Sequence, residues 1–360
     1  MNVDPDATIV KPGDGEDPTA LAPPSPSPSP SPVTSDTDAL PSGTTFKGRL
    51  RYVLGAEYEL LSGIGQGGFA RVYKARDRRL DRIVAIKVIR PDLLGRKVFV
   101  ESFRNEGIAL AKLRHPGIVP IFDIRERGGL IYYVMPFVEG TTLDARMERR
   151  LPPYESRRIL CELADALAAA HRAKMVHMDI KPGNVFLEGD LQKVLLMDFG
   201  LAKSLQASAE DASGGAVVGT PEYMSPEQAR GLSDIDHRSD IYSLGALGYR
   251  MLVGRPPFRG MTSVETLNKH ITEAPRPLRE VNPSIPKEFA DVIMRCLKKS
   301  PAERFATALE VGRALDAVTF FSGRVEEAGP ERFSKTQRTL VTLLVGLTLI
   351  LGLVIGMALR

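Results

Sequence analysis

The stretch VHMDIKPGNVF, residues 176–186, sets an aspartate, a lysine and an asparagine within six positions, Asp179 to Asn184. Upstream, YESRRILCELADALAAAHRAK (154–174) has the apolar spacing of a long amphipathic helix. Downstream, LLMDFG (195–200) is an apolar strand that ends abruptly in an acid, Asp198, and a glycine. Two carboxylates and a carboxamide gathered between a helix and a strand need cations, and the rest of the chain has to supply them.

Nearer the N-terminus, IGQGGFARVYKA (64–75) clusters Gly65, Gly67 and Gly68 in a turn between two strand-like runs. Missing side chains there let backbone N–H groups come close to phosphates. Alone, a glycine-rich hairpin is weak evidence. No Gly-Lys-Ser/Thr follows and the glycines lead into a strand, so neither a P-loop nor a dinucleotide fingerprint fits. Lys87, in VAIKV, sits on a strand between apolar neighbours, where an ammonium without a partner is costly. Glu106, on the helical segment 19 residues later, is its natural partner.

These parts answer the requirements of phosphoryl transfer: ligands for a metal on the phosphates, a group that places the acceptor hydroxyl, and positive charge over the developing negative charge. Asp198 and Asn184 offer the hard oxygens that magnesium prefers, Asp179 suits the hydroxyl, and Lys181 and Lys87 supply the charge.

The surrounding pattern is two-part. YELLSGIG, RVYKARD, RIVAIKVI, IVPIFDIRE and LIYYVMPF read as five strands, and VFVESFRNEGIALAKL (98–113) as one helix, giving a small antiparallel lobe. MPFVEG joins it to a mostly helical part that includes SDIYSLGALGYRMLVG, PKEFADVIMRCLKK and ATALEVGRALDAV. A cleft between the two is the expected ligand site.

Residues 58 to about 318 resemble the protein kinase family, and most closely its bacterial, membrane-anchored Ser/Thr members. The glycine-rich loop, VAIK, the helix glutamate, HxDxKxxN, DFG and SPE stand in family order with family-like separations. The resemblance implies an α+β two-lobed kinase fold, with a domain at 46–320 split into lobes at about 58–138 and 139–320. It implies transfer of the γ-phosphoryl of ATP to Ser/Thr hydroxyls of proteins, with Mg²⁺ or Mn²⁺. On this likeness Lys87 holds the α- and β-phosphates and pairs with Glu106, Asp179 is the catalytic base, and Asn184 and Asp198 are the metal ligands. Lys181 and Thr220 follow the pattern of Ser/Thr-specific members. Ile64, Gly65, Gln66, Gly67, Gly68, Val72 and Ala85 line the nucleotide, Met135 is the gatekeeper, and the backbone of Pro136 and Val138 receives the adenine edge. His177, Glu227 paired with Arg304, and Asp240 on the catalytic-loop backbone are scaffold.

Two positions depart from the pattern. Ala70 takes the third glycine place of the loop, where a methyl group restricts φ and crowds the phosphates without removing a donor. Met178 replaces the arginine that commonly precedes the base and pairs with a phosphate on the activation segment; methionine has no donor to read that charge. In the segment 198–227, the positions before Gly219 are Ala216, Val217 and Val218, without a hydroxyl, while Ser204, Ser208 and Ser213 remain as acceptors. With both halves of the switch missing, activity is expected not to depend on phosphorylation of this segment. Control by clustering or an outer signal is expected instead. A catalytically silent ATP-binding scaffold and a small-molecule phosphotransferase are the competing functions. The full set of reactive groups opposes the first, and GTPEYMSPE, which in the family shapes a groove for protein acceptors, opposes the second.

The ends differ from the middle. Residues 1–45 hold ten prolines, seven acids and one lysine, including PPSPSPSPSP (23–32), a composition expected to stay disordered and extended. They carry −6 of a chain whose net charge is +4, so the remainder is basic, but no basic run interleaves with aromatics and nucleic acid is not an expected partner. The five histidines show no metal-ligand spacing, and Cys161 and Cys296 read as buried free thiols. The start is acidic and proline-rich, unlike a signal peptide. LVTLLVGLTLILGLVIGMAL, from Leu340 to Leu359, is twenty residues without a charge, about 30 Å of helix and enough for a bilayer. A transmembrane helix is therefore expected at 339–359, after a juxtamembrane linker at 321–338. Arg332, Lys335 and Arg338 precede it, which places the kinase-like part on the cytoplasmic side of the plasma (inner) membrane in a single-pass protein. Gly352 and Gly356 form a small-xxx-small pair that would let two such helices approach in a homodimer, although ordinary glycine content of a membrane helix is the preferred explanation.

Overall fold

Alternation within RIVAIKVI decides how the first lobe packs, because successive strand side chains point to opposite faces. The computed structural model describes residues 45–149, 151–199 and 220–320. The proline-rich tail, the activation-segment positions Ser204, Ser208, Ser213 and 216–218, the linker and the apolar span 339–359 all lie outside them. Among the described residues no helix is long and apolar enough to cross a membrane.

The first lobe comprises α1 (Phe46–Leu54), β1 (Tyr58–Gln66), β2 (Ala70–Asp77), β3 (Arg82–Ile89), α2 (Lys97–Lys112), β4 (Asp123–Arg127) and β5 (Leu130–Pro136). The strands form one antiparallel sheet in the order β1-β2-β3-β5-β4. Val84, Ile86 and Val88 of β3 face outward with Tyr73, Ala75, Tyr132 and Val134, and α1 covers them with Leu50, Val53 and Leu54. Ala85 and Ile89 face inward to Phe99, Phe103 and Leu110 of α2. Gly107 lets α2 lie close on the sheet, since a Cβ there would stand 2.8 Å from Ile124 Cδ1.

Two expectations are corrected here. The lobe begins with α1, which the strand-first reading of residues 58 onward omits. IVPIFDIRE is a strand only from Asp123: Pro120 has no N–H for a ladder, and the preceding residues bond across to the second lobe instead. Val119 N donates to Leu196 O at 3.2 Å and Leu196 N to Gly117 O at 2.8 Å. The segment thus ties the two lobes behind the cleft.

The second lobe holds β6 (Gly140–Thr142), α3 (Leu143–Arg146), α4 (Pro153–Arg172), β7 (Val185–Glu188), β8 (Lys193–Leu196), α5 (Pro226–Ala229), α6 (Arg238–Val253), α7 (Ser263–Thr272), α8 (Leu278–Val281), α9 (Lys287–Cys296) and α10 (Ala308–Asp316). β6, β7 and β8 make a small antiparallel sheet that frames the loop 176–184. α6 is apolar and buried around almost its whole circumference, so it forms the axis of the lobe. Its Gly245 and Gly248 admit α9 and α4 at close range: a Cβ at Gly245 would meet Cys296 Cβ of α9 at 2.6 Å, and one at Gly248 would meet Leu160 Cδ1 of α4 at 3.1 Å. Both cysteines are free, and burial pushes each thiol up to about 12, so neither is a reactive thiolate at neutral pH.

Candidate active site

Lys87 lies on β3 with 4% of its surface exposed. Its Nζ donates to Asp198 Oδ1 at 2.8 Å, stands 3.6 Å from Glu106 Oε1, and sits over the Tyr133 ring at 5.3 Å. Burial alone would drive the ammonium to neutrality, but Asp198 and the groups of Tyr133 and Glu106 hold its pKa well above the ordinary lysine value. Glu106 is positioned by the Tyr133 hydroxyl, which donates to Oε1 at 3.2 Å. Burial raises this carboxyl to about 7 despite the attraction of Lys87.

Across the cleft, the catalytic-loop candidate Asp179 receives two hydrogen bonds on the same oxygen: Lys181 Nζ to Oδ2 at 2.6 Å and Asn184 Nδ2 to Oδ2 at 2.9 Å. Asn184 Nδ2 also donates to the Asp179 backbone carbonyl at 2.8 Å, and its Oδ1 has no hydrogen-bond partner among the described residues. His177 accepts from Asp179 N through Nδ1 at 3.2 Å, so its Nε2–H donates to Met197 O at 2.9 Å. That tautomer is the neutral one, consistent with the complete burial that lowers its pKa. His177 also packs against the Phe199 ring at 4.4 Å, holding that side chain inward, beside the recess behind Met135.

Asp240, at the start of α6, fixes the loop from below. Its Oδ2 accepts from His177 N and its Oδ1 from Met178 N, both at 2.8 Å, and His171 Nε2 meets Oδ2 at 2.8 Å. Arg304 and Glu227 form a buried bidentate pair at 2.6 and 2.8 Å. The remaining guanidinium donors reach the carbonyls of Lys298, Arg238 and Lys299, so all five are satisfied.

On the nucleotide side, Gly65, Gln66, Gly67 and Gly68 form the β1–β2 hairpin, closed by Gly67 N to Ala70 O at 2.9 Å. Ile64 is largely exposed on β1, and Val72, opposite Lys87, is half-buried. Ala85 pairs with Met135 on β5, and Pro136 and Val138 follow where the chain leaves the sheet. Ala70 is not a crowding group: its methyl is buried in the core, 4% exposed, with its backbone paired to Ile89. Thr220 stands before the turn Pro221–Tyr223, and among the described residues no hydrogen bond or ion pair ties its side chain to Asp179 or Lys181.

Whether these residues suit a metal is decided by their donor chemistry. The described residues contain no cluster of three His, Cys, Asp or Glu that could hold an ion. Two side chains with hard oxygens are present, Asn184 through Oδ1 and Asp198 through the Oδ2 that Lys87 leaves free, the Asp198 side chain being 43% exposed. That set is too small for a closed protein site and fits magnesium shared with phosphate oxygens. Sequence reading did not single out Tyr133, His171 or Gln228, which orient Glu106, Asp240 and the Met178 backbone. Only Gln228 left a trace, as the fourth residue of the capping box Ser225-x-x-Gln228.

A sheet lobe over a helical lobe, with an inward lysine–glutamate pair and an aspartate held between an asparagine and a lysine, defines the protein kinase class. The chain belongs to the protein kinase family, whose domain it matches over residues 58–313. Among curated relatives, the serine/threonine-protein kinase PknB of Mycobacterium leprae is 39% identical over 281 residues, covering 76% of this chain and 44% of that protein. PknB of Mycobacterium tuberculosis is 38% identical over 293 residues, 79% of this chain and 46% of its own length. The chain thus spans under half the length of these relatives. The crystal structure of the Mycobacterium tuberculosis PknI kinase domain superposes with a TM-score of 0.58 at 27% identity, covering 77% of this chain and 99% of that one.

Proposed function

We propose that this chain is a serine/threonine protein kinase that transfers the γ-phosphoryl of ATP to Ser and Thr hydroxyls of proteins with Mg²⁺, or Mn²⁺ in its place. The observation that carries this reading is the arrangement of Asp179: Lys181 and Asn184 both occupy Oδ2, leaving Oδ1 to face an acceptor. Asp179 Oδ1 would orient the hydroxyl and take its proton as the new O–P bond forms and the bond from the γ-phosphorus to the bridging oxygen breaks to release ADP, and Lys181 would lie against the transferring group. Lys87, held charged in a buried setting, would bind the α- and β-phosphates, with Glu106 keeping it aligned. Asn184 Oδ1 and Asp198 would hold the metal, which when bound neutralises phosphate charge. Ile64, Val72, Ala85 and Met135 would enclose the adenine, with the Pro136 carbonyl and Val138 N–H on its edge.

The test is phosphate transfer from radiolabelled ATP to a generic protein substrate. Asp179→Ala is expected to lower kcat by about 10³-fold while ATP binding persists. Equal labelling by variant and parent would remove Asp179 from the base role.

Met178 supports a regulatory reading as well. Its side chain is buried, and with no donor on it the loop cannot read a phosphate on the activation segment. The unphosphorylated chain is therefore expected to turn over at a rate within about threefold of the phosphorylated form, a ratio that counts as no switch against the orders of magnitude that switching kinases span. Near-zero turnover until Ser213 is modified would contradict this. The apolar run 339–359 supports anchoring in the plasma membrane with the kinase domain on the cytoplasmic side, and pairing of two chains through that helix is the control the reading favours.

A further inference from the structure

Met178, the residue before the proposed base, has φ +66°, a left-handed conformation that costs a side-chain-bearing residue of this shape about 1–2 kcal/mol. Something must hold it there. From one side Asp240 Oδ1 takes its N–H at 2.8 Å; from the other, Gln228 Nε2 donates to its carbonyl at 2.7 Å. The peptide unit that leads into Asp179 is thus gripped by a side chain that directly follows the activation segment.

The orientation of the Gln228 amide is fixed by its neighbours. Its Oε1 accepts from Ser225 N at 3.0 Å and from Ser239 Oγ at 3.1 Å. Ser225 Oγ lies 2.7 Å from Ser239 Oγ and accepts from Gln228 N at 3.2 Å. Because Ser239 spends its proton on Oε1, Ser225 Oγ is the donor of the serine–serine bond and the ring closes around Oε1, while Nε2 reaches the Met178 carbonyl at 2.7 Å and Met178 Sδ at 4.0 Å. All three side chains are buried, Ser225 0%, Gln228 6% and Ser239 1% exposed. The amide cannot flip without placing two donors face to face, so Nε2 is committed to Met178.

We propose that Gln228 is a positioning residue for Asp179. It pins the Met178 carbonyl, keeps that residue left-handed, and so sets where the base carboxylate points. This deepens the kinase reading and rests on it. The main bond is to the backbone carbonyl, with Met178 Sδ a looser contact at 4.0 Å, so the grip needs no charged side chain at 178. It is therefore independent of the arginine that Met178 replaces.

The test uses the full chain and compares Gln228→Met, which keeps length and loses the donor, with the parent. The expected result is a fall in kcat of about 10–100-fold, with KM for ATP changed less than twofold and the thermal shift by ADP with Mg²⁺ retained. The decisive arm adds Met178→Gly, which takes positive φ without strain. In that background Gln228→Met should cost less than about threefold. An unchanged kcat in the single variant, or an equal fall in both backgrounds, would overturn the proposal. If Gln228→Met does not fold, Gln228→Asn, one methylene too short to reach the carbonyl, is read by the same two comparisons. Asp179→Ala separates the two claims: loss of transfer in it alone supports the kinase reading and sinks only the role of Gln228. A parent chain without transfer sinks both.

Discussion

Glu106 carries a carboxylate oxygen, Oε2, that finds no hydrogen-bond partner among the described residues, while Oε1 serves both Tyr133 and Lys87. Its pKa of about 7 reflects burial first, with the Lys87 charge pulling the other way. A carboxyl raised on folding favours the folded state while protonated. That contribution is full below the ordinary glutamate range and is lost as pH rises through about 7. Glu106→Gln, which stays neutral, should therefore gain stability relative to the parent between pH 5.5 and 8.5, by about 1–3 kcal/mol. Denaturant unfolding at the two pH values reads the difference, and a constant gap would contradict it. The same variant should lose at least about tenfold in kcat/KM, because Lys87 is left with Asp198, the proposed metal ligand, as its one carboxylate partner among the described residues. The proposed role asks Glu106 to be ionised, while its burial favours the neutral form.

Among the elements, α1 is the one that charge and length conceal. FKGRLRYVL has nine residues and three cations, and a helix this short is marginal by itself. Its apolar residues at 46, 50, 53 and 54 follow helical spacing, but only the sheet makes that face useful. Thr45 caps its start by accepting Gly48 N at 3.2 Å, and Arg49 reaches the Gly128 carbonyl at 2.7 and 3.1 Å. Gly128 and Gly129, both at positive φ, form the two-residue β4–β5 turn, and a Cβ at Gly128 would strike Val53 Cγ2 at 2.5 Å. Leu50 is completely buried. Leu50→Ala should cost about 2–5 kcal/mol, read by thermal or denaturant unfolding. Turnover measured where the variant is still folded should stay near that of the parent, since α1 lies on the sheet face opposite α2 and Lys87. A loss below 1 kcal/mol would mean that α1 is not an integral part of the lobe.

At the scale of the whole molecule, the described residues already contain two packed lobes and the complete proposed site. Residues 45–320 should unfold cooperatively without the apolar C-terminal run, and ADP with Mg²⁺ should raise their stability by about 2.7 kcal/mol at a hundredfold excess over Kd. Chelation of the metal, or Asp198→Asn, should remove most of that shift. A truncated domain that failed to fold would place part of the core outside these residues.

The order of chemical groups along the chain was legible because each reactive residue is flanked by its own local pattern: glycines before Lys87, an apolar strand before Asp198, a long helix before the 176–186 loop. The alternating and helical periods likewise marked the strands and main helices, since burying one face is a local constraint. What the linear order could not carry were contacts between distant segments. Pro120 and its neighbours leave the sheet to join β8, α1 closes over the outer face, and Ala70 turns its methyl into the core. Gln228 grips a residue fifty positions away. Residue types and their spacing determined which chemistry this protein is equipped for. Only the tertiary structure decided how Asp179 is aimed, because a left-handed backbone and a buried amide ring exist solely where segments fifty positions apart within the second lobe are folded together.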